Sequence, residues 1–249
     1  MKNDLKRLFE KEKCRIQHSG DGAGGIGTLG EKSLHHMIKN VLMPDETFQE
    51  VPIGKFVADI YDGKKIVEIQ SKSFHVLKRK LDTFLKIAPV TIVYPIPVKK
   101  YLNWIDPLTG EIKETRVSSK HGKIQDAAVE IIRIKSYLKE PGLSFRLLFF
   151  EVDEYKLLDG YGEKQKLHAT KYDRTARSFL KEVRLEKSED YRAFLPDGLG
   201  ETFTSKDFKK CAGIALKTAQ STLNLLTTLE ITRIEGKCGR MNLYCINQK

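Results

Sequence analysis

The chain has 249 residues, 40% of them hydrophobic and 31% charged, a balance that supports a folded core and excludes wholesale disorder. Its formal charge of +11 and pI near 9.3 favour a polyanionic partner, because clustered Lys and Arg displace the counterions of nucleic acid. No apolar run approaches the roughly 18 residues of a membrane span. Cys14, Cys211, Cys238 and Cys245 form no CxxC pair, so reduced thiols in a cytoplasmic protein are expected rather than a zinc site.

The N-terminal stretch MKNDLKRLFEKEKCRIQ reads as a charged amphipathic helix and not as a signal peptide. A glycine run from Gly20 to Gly30 follows and contains a formal GxGxxG at Gly22, Gly24 and Gly27. A dinucleotide fingerprint needs a preceding apolar strand, and here a charged helix precedes it. Helical spacing of Leu34, Met37, Ile38 and Val41 predicts a helix over 31–41. Strands are expected at 49–51, 55–61 and 65–71, then a helix over 75–86, and then a continuous apolar strand, PVTIVYPIPV, of the kind covered on both faces. A Pro-Leu-Thr-Gly turn, a helix over 126–138 and the apolar strand LSFRLLFFEVDEYKLLD complete an α/β core with a mixed sheet. The organisation expected is an N-terminal helix and linker (1–26), the core (27–158), a helical connector (159–199) closed by Pro196 and Gly198, and a compact C-terminal unit (200–249).

Within that core, VADIYDGKKIVEIQSKSF reads as a hairpin about Asp62-Gly63 whose apolar pattern is interrupted by Asp59, Glu68, Gln70 and Lys72. Alternation places Glu68, Gln70 and Lys72 on one face. A two-residue turn sets Asp59 opposite Ile66 and diagonal to Glu68, roughly 7–8 Å away. Two carboxylates at that spacing, with an amide oxygen nearby, suit Mg²⁺, a hard cation that takes oxygen ligands. Glu31, opening the preceding helix, can deliver a third. Charges facing solvent on a half-exposed strand pair are the alternative for each residue singly.

These residues resemble the PD-(D/E)xK nuclease superfamily, shared by many restriction endonucleases, Holliday-junction resolvases and repair nucleases. Its pattern is a glutamate on the first helix, an aspartate ending one strand, and an acid-x-lysine on the next, followed by a helix. Glu31, Asp59 and Glu68 match the acids in order, and Gln70 stands where lysine is usual, a variant also seen in some restriction enzymes. The resemblance, over about 27–153, implies a restriction-endonuclease-like mixed sheet flanked by helices and a Mg²⁺-dependent, or Mn²⁺-dependent, DNA endonuclease. It also implies Glu31, Asp59 and Glu68 as metal ligands, with Gln70 and Lys72 completing the catalytic set. Lysine orients the attacking water in the family; here Gln70 can only hydrogen-bond it, leaving Lys72 to supply the charge.

Basic residues at Lys120, His121 and Lys123, and again at Lys171 and Arg174, are candidate phosphate contacts, with a solvated charged surface as the alternative. In the C-terminal unit, Thr204 or Ser205 can cap a short helix and Ala212-Gly213 can turn into a second. Leu216, Ala219, Leu223 and Leu226 form the second helix's apolar stripe, beside a polar stripe of Lys217, Gln220, Ser221 and Asn224 able to reach base edges or phosphates. The alternating LEITRIEGKCGRMNLYCI then gives a hairpin with Lys237 and Arg240 at its tip. This order is similar to a winged helix-turn-helix, which implies a duplex DNA partner. A homodimer is left open, and a catalytically inactive DNA-binding regulator and an assembly protein are the rival functions.

Overall fold

The computed structural model of the chain describes residues 2–18, 33–160 and 169–248. A mixed sheet of seven strands dominates it: β1 (Gln49–Ile53), β2 (Phe56–Tyr61), β3 (Ile66–Ile69), β4 (Val90–Ile105), β5 (Ile112–Val117), β6 (Leu143–Leu157) and β7 (Thr170–Leu185). The spatial order is β1-β2-β3-β4-β6-β7, with β5 paired to β4. Strands β2 and β3 run antiparallel, β3 and β4 parallel, and β4 and β5 antiparallel. A parallel pair needs a crossover, and between β3 and β4 it is a 3-10 turn, Phe74–Leu77, leading into α3 (Lys78–Phe84), numbered after α1 (Lys2–His18) and α2 (Ser33–Leu42).

The chain divides into two compact units. The first comprises residues 1–51, 95–122 and 148–182. In it, Phe9 of α1 stacks on Phe179 and meets Phe150 edge-on, so the charged N-terminal helix is held by one buried aromatic. The predicted stripe of α2, Leu34, Met37, Ile38 and Val41, is buried throughout.

The second unit comprises 52–94, 123–147 and 183–249. Its core gathers Ile66, Val67 and Ile69 of β3, Phe74, Leu77, Leu81 and Phe84 of the crossover, and Phe145 and Leu147 of β6. Helix α4 (Ile124–Ile131) buries Ala127, Ala128 and Ile131. Toward the C-terminus, α5 (Ser205–Ala212) and α6 (Leu216–Thr228) are joined through Gly213, whose φ of +58° is the left-handed conformation that ends a helix. Strands β8 (Thr202–Phe203), β9 (Thr232–Cys238) and β10 (Met241–Ile246) form an antiparallel sheet in the order β8-β10-β9.

Several sequence expectations are corrected. Asp62 and Gly63 lie in a longer loop: Asp62 Oδ1 accepts from the amides of Lys64 and Lys65, and β3 begins only at Ile66. The register is therefore Ile60 to Val67, two residues away from that of a two-residue turn. Strand β3 ends at Ile69, not 71, since Gln70 and the exposed Ser71 and Lys72 leave the strand for a bend. The helix expected over 126–138 is α4 followed by a 3-10 segment, Ile132–Tyr137, kinked at Ile134 (φ −111°, ψ 33°). The connector expected to be helical carries β7 instead, a strand in which Asp173, Ala176 and Phe179 are buried. Glu31, together with Gly22, Gly24 and Gly27, lies outside the described residues.

Candidate active site

The site is built where the β2-β3 ladder stops. The ladder pairs Tyr61 with Ile66 and Ile60 with Val67. Continued by one residue, that register sets Asp59 directly opposite Glu68 instead of diagonal to it. Opposed residues bring their Cβ atoms to about 5 Å. At this point side chains take over from the backbone ladder: the Ile69 amide donates to Asp59 Oδ2 at 2.6 Å, and the Asp59 amide donates to Glu68 Oε1 at 3.3 Å. Each carboxylate is thereby fixed by an amide, which pins both pointing into the gap between strands.

Glu68 is 3% exposed, and Asp59 is half-buried. A lysine from the next helix answers them. Lys80 Nζ lies 2.7 Å from Glu68 Oε2 and also donates to the Val57 carbonyl at 2.8 Å. Burial pushes the Glu68 carboxyl up to about 7, the Asp59 charge adds to that rise, and Lys80 opposes it. A like-charge pair in a site of low dielectric disfavours full ionisation unless a cation joins it.

Among the described residues no group of three or more His, Cys, Asp or Glu is assembled that could hold a metal ion. The Asp59-Glu68 pair still fits Mg²⁺, which is commonly held by one or two carboxylates and completes its shell with water and substrate phosphate. Zinc, with its preference for closed nitrogen and sulfur ligand sets, does not fit.

Of the other predicted catalytic residues, Gln70 is half-buried beside the pair, but its Nε2 donates to the Lys72 carbonyl at 2.6 Å. Lys72 itself is exposed beyond the end of β3 and does not share the face of Glu68. The cation paired with Glu68 is Lys80, which sequence reasoning missed. A signal for it was present: Leu77, Leu81 and Phe84 mark the buried stripe of the crossover helix, and Lys80 lies three residues after Leu77 on that same side.

The predicted DNA contacts separate into engaged and exposed groups. Lys123 Nζ donates to the carbonyls of Ala212 and Gly213, so it caps the end of α5 instead of facing a ligand. Lys171 and Arg174 both pair with Glu154, at 3.3 and 2.7 Å. Lys120 is exposed, and the exposed His121 ring contacts the Val98 carbonyl. On α6, Lys217, Gln220 and Asn224 are exposed and Ser221 is half-buried, while Ala219, Leu223 and Leu226 are buried and Leu216 is half-buried. Asn224 Oδ1 accepts from Lys135 at 3.5 Å. Lys237 and Arg240 are both exposed at the β9-β10 turn, where Gly239 takes φ +61°.

A family model described as "Domain of unknown function (DUF8091)" matches residues 32–186 of this chain. A protein of Treponema pallidum (strain Nichols), described as an uncharacterized protein, is 27% identical over 169 residues, which cover 67% of this chain and 64% of that relative. The chain thus spans somewhat less than two thirds of the relative's length. No solved structure gives a significant match.

Proposed function

The chain belongs to the DUF8091 family, and we propose that this member is a Mg²⁺-dependent endonuclease acting on duplex DNA. The observation that carries this reading is the Asp59-Glu68 pair, opposed across two strands, each fixed by a backbone amide, with Lys80 against Glu68. Support comes also from the order of elements: a helix, the neighbouring strands β1, β2 and β3 with β2 and β3 antiparallel, a crossover helix and a parallel β4 resemble the PD-(D/E)xK arrangement.

Mg²⁺ bound by Asp59 and Glu68 would lower the pKa of a water and polarise the phosphodiester. The protein's own part is positional. The Ile69 amide holds the Asp59 carboxylate, the Asp59 amide holds Glu68, and Lys80 supplies a cation that can contact the scissile phosphate once Glu68 is occupied. Lys80 takes the place that the sequence pattern assigned to a displaced lysine at Lys72. The C-terminal α5-α6 pair with its β9-β10 hairpin resembles a winged helix-turn-helix, and exposed Lys217, Gln220, Asn224, Lys237 and Arg240 suit duplex binding.

Two observations favour the rival, a catalytically inactive DNA-binding regulator: Gln70 donates to the Lys72 carbonyl, and Lys80 already pairs with Glu68. A supercoiled-plasmid assay with Mg²⁺, with Mn²⁺ and with EDTA separates the two. Metal-dependent nicking that disappears in Asp59→Ala and in Glu68→Gln, with duplex affinity kept, is the expected result. Duplex binding without nicking under any of the three conditions would establish the regulator.

A further inference from the structure

In the second unit three neighbouring elements present exposed cations in succession. The crossover helix α3 opens with Lys78, Arg79 and Lys80. Lys80 is drawn inward to Glu68, whereas Lys78 and Arg79 are exposed, and neither side chain makes a hydrogen bond or ion pair among the described residues. The 3-10 segment Ile132–Tyr137 lies against this turn: the Tyr137 hydroxyl is 3.2 Å from the Lys78 carbonyl and 2.6 Å from Asp82 Oδ1. Within that segment Ile134 is fully buried at the kink and anchors it, while Arg133 and Lys135 on either side are exposed. Lys135 in turn reaches α6, where its Nζ donates to Asn224 Oδ1 at 3.5 Å. Asn224 shares a stripe with Gln220 and Lys217, and the exposed Lys217 has no partner among the described residues.

These contacts join the carboxylate pair to the polar stripe of α6 through one basic strip: Lys78 and Arg79, then Arg133 and Lys135, then Lys217. Asp82 and Glu130 border it, and both are engaged. Asp82 receives the Tyr137 hydroxyl, and the half-buried Glu130 receives the Phe74 amide at 3.0 Å and pairs with Arg133 at 3.4 Å. Lys78, Arg79, Lys135 and Lys217 are left with no carboxylate partner among the described residues. Like charges held near one another at a surface repel, and a partner with regularly spaced anions relieves that repulsion along the whole row. The phosphodiesters of a duplex are such a partner, and each charge they neutralise also releases counterions.

We propose that this strip is the track on which the duplex backbone runs between α6 and the Asp59-Glu68 pair, so that the helix reading the duplex and the site cutting it act on one continuous stretch. The partner and the direction of the track rest on the nuclease reading above. The strip positions the duplex and reads no sequence, since phosphate contacts orient while base contacts specify.

The full-length chain in EDTA is titrated into a labelled duplex over a range of salt concentrations, following anisotropy. Three variants are compared with the parent: Lys78→Gln/Arg79→Gln, Lys135→Gln/Lys217→Gln, and Lys6→Gln/Arg7→Gln, which removes the same charge from exposed positions of α1. Each strip variant, with circular dichroism unchanged, should bind about tenfold more weakly or worse, with a salt slope shallower by about 1.8, or 0.9 for each lost charge. The α1 variant should keep the parent's slope. Affinity and slope equal to the parent's in the Lys78/Arg79 variant would overturn the track and leave duplex binding by α6 standing; the same result in the Lys135/Lys217 variant would overturn both. An equal loss in the α1 variant would overturn the track by reducing its effect to net charge. Oligoglutamate competing as well as unlabelled duplex would overturn the nucleic-acid assignment in favour of an acidic protein. A parent that binds no duplex would overturn the nuclease reading and the track together. The readout needs neither metal nor cleavage, so a chain that fails to nick plasmid can still pass this test, and one that nicks can still fail it.

Discussion

Glu68 is the residue on which chemistry and stability pull apart. Its folded value of about 7 lies above the ordinary 4.5 because burial, and then Asp59, disfavour the anion. The sign follows: the folded state prefers the neutral acid, so this contribution to stability is complete below pH 4.5 and is lost as pH rises through about 7. Glu68→Gln fixes the neutral form. In EDTA, urea unfolding of the parent should lose roughly 2–4 kcal/mol across that window, whereas the variant's should change less by that amount, even as its nicking disappears. Parallel pH profiles for parent and variant would show that Glu68 is not the destabilised group. Lys80 gives the complementary case. Lys80→Ala removes the cation facing Glu68 and should lower nicking at least tenfold at saturating Mg²⁺, with Lys80→Arg recovering part of it and Lys72→Ala cleaving normally. Equal losses in Lys72→Ala and Lys80→Ala would return the catalytic cation to the bend after β3.

At the scale of elements, the hairpin shows how a small error in a turn moves a site. Asp59 and Glu68 were legible because charged residues in a short apolar strand pair demand a reason, and alternation placed them on one face. Their direct opposition was not, because the Asp62 side chain organises the amides of Lys64 and Lys65 and lengthens the loop. The polar sequence after residue 160 hid β7, whose alternation is diluted by exposed Lys and Arg and whose cover comes from α1, through Phe9, far away in sequence. The α5-α6 pair was the clearest element, since Thr204 and Asp207 form a reciprocal cap and Gly213 ends the helix in the left-handed region. Its hairpin carries a prediction: charge reversal at Lys237 and Arg240 should flatten the dependence of log affinity on log salt by about 1.8. Substitution of Gln220 and Asn224 should instead change discrimination among duplex sequences. An unchanged salt slope in the Lys237/Arg240 variant would make this hairpin a protein-contact surface.

At the scale of the molecule, the C-terminal unit is less separable than its compact sequence suggests. Helix α6 packs on α4, Lys123 caps α5, Gln125 donates to the Phe194 carbonyl, and Arg192 donates to the Asn247 carbonyl. Removing residues 200–249 should therefore uncover apolar surface on α4 and lower the melting temperature by more than 10 °C, on the order of several kcal/mol. A truncated chain that melts like the parent would restore the picture of an independent appendage.

The two compact units are each assembled from three separate stretches, and the chain passes between them at 51/52, 94/95, 122/123, 147/148 and 182/183. No single cut yields a fragment containing one whole unit and nothing of the other. A protease nick at 51/52 or 182/183 would leave one unit whole on one piece, always with part of the other attached, and a nick at any of the three inner junctions would leave both units incomplete, so a single recombination junction could not lend one unit alone to another protein. Inheritance must then treat this architecture as one indivisible module, to be gained, lost or fused at its ends only.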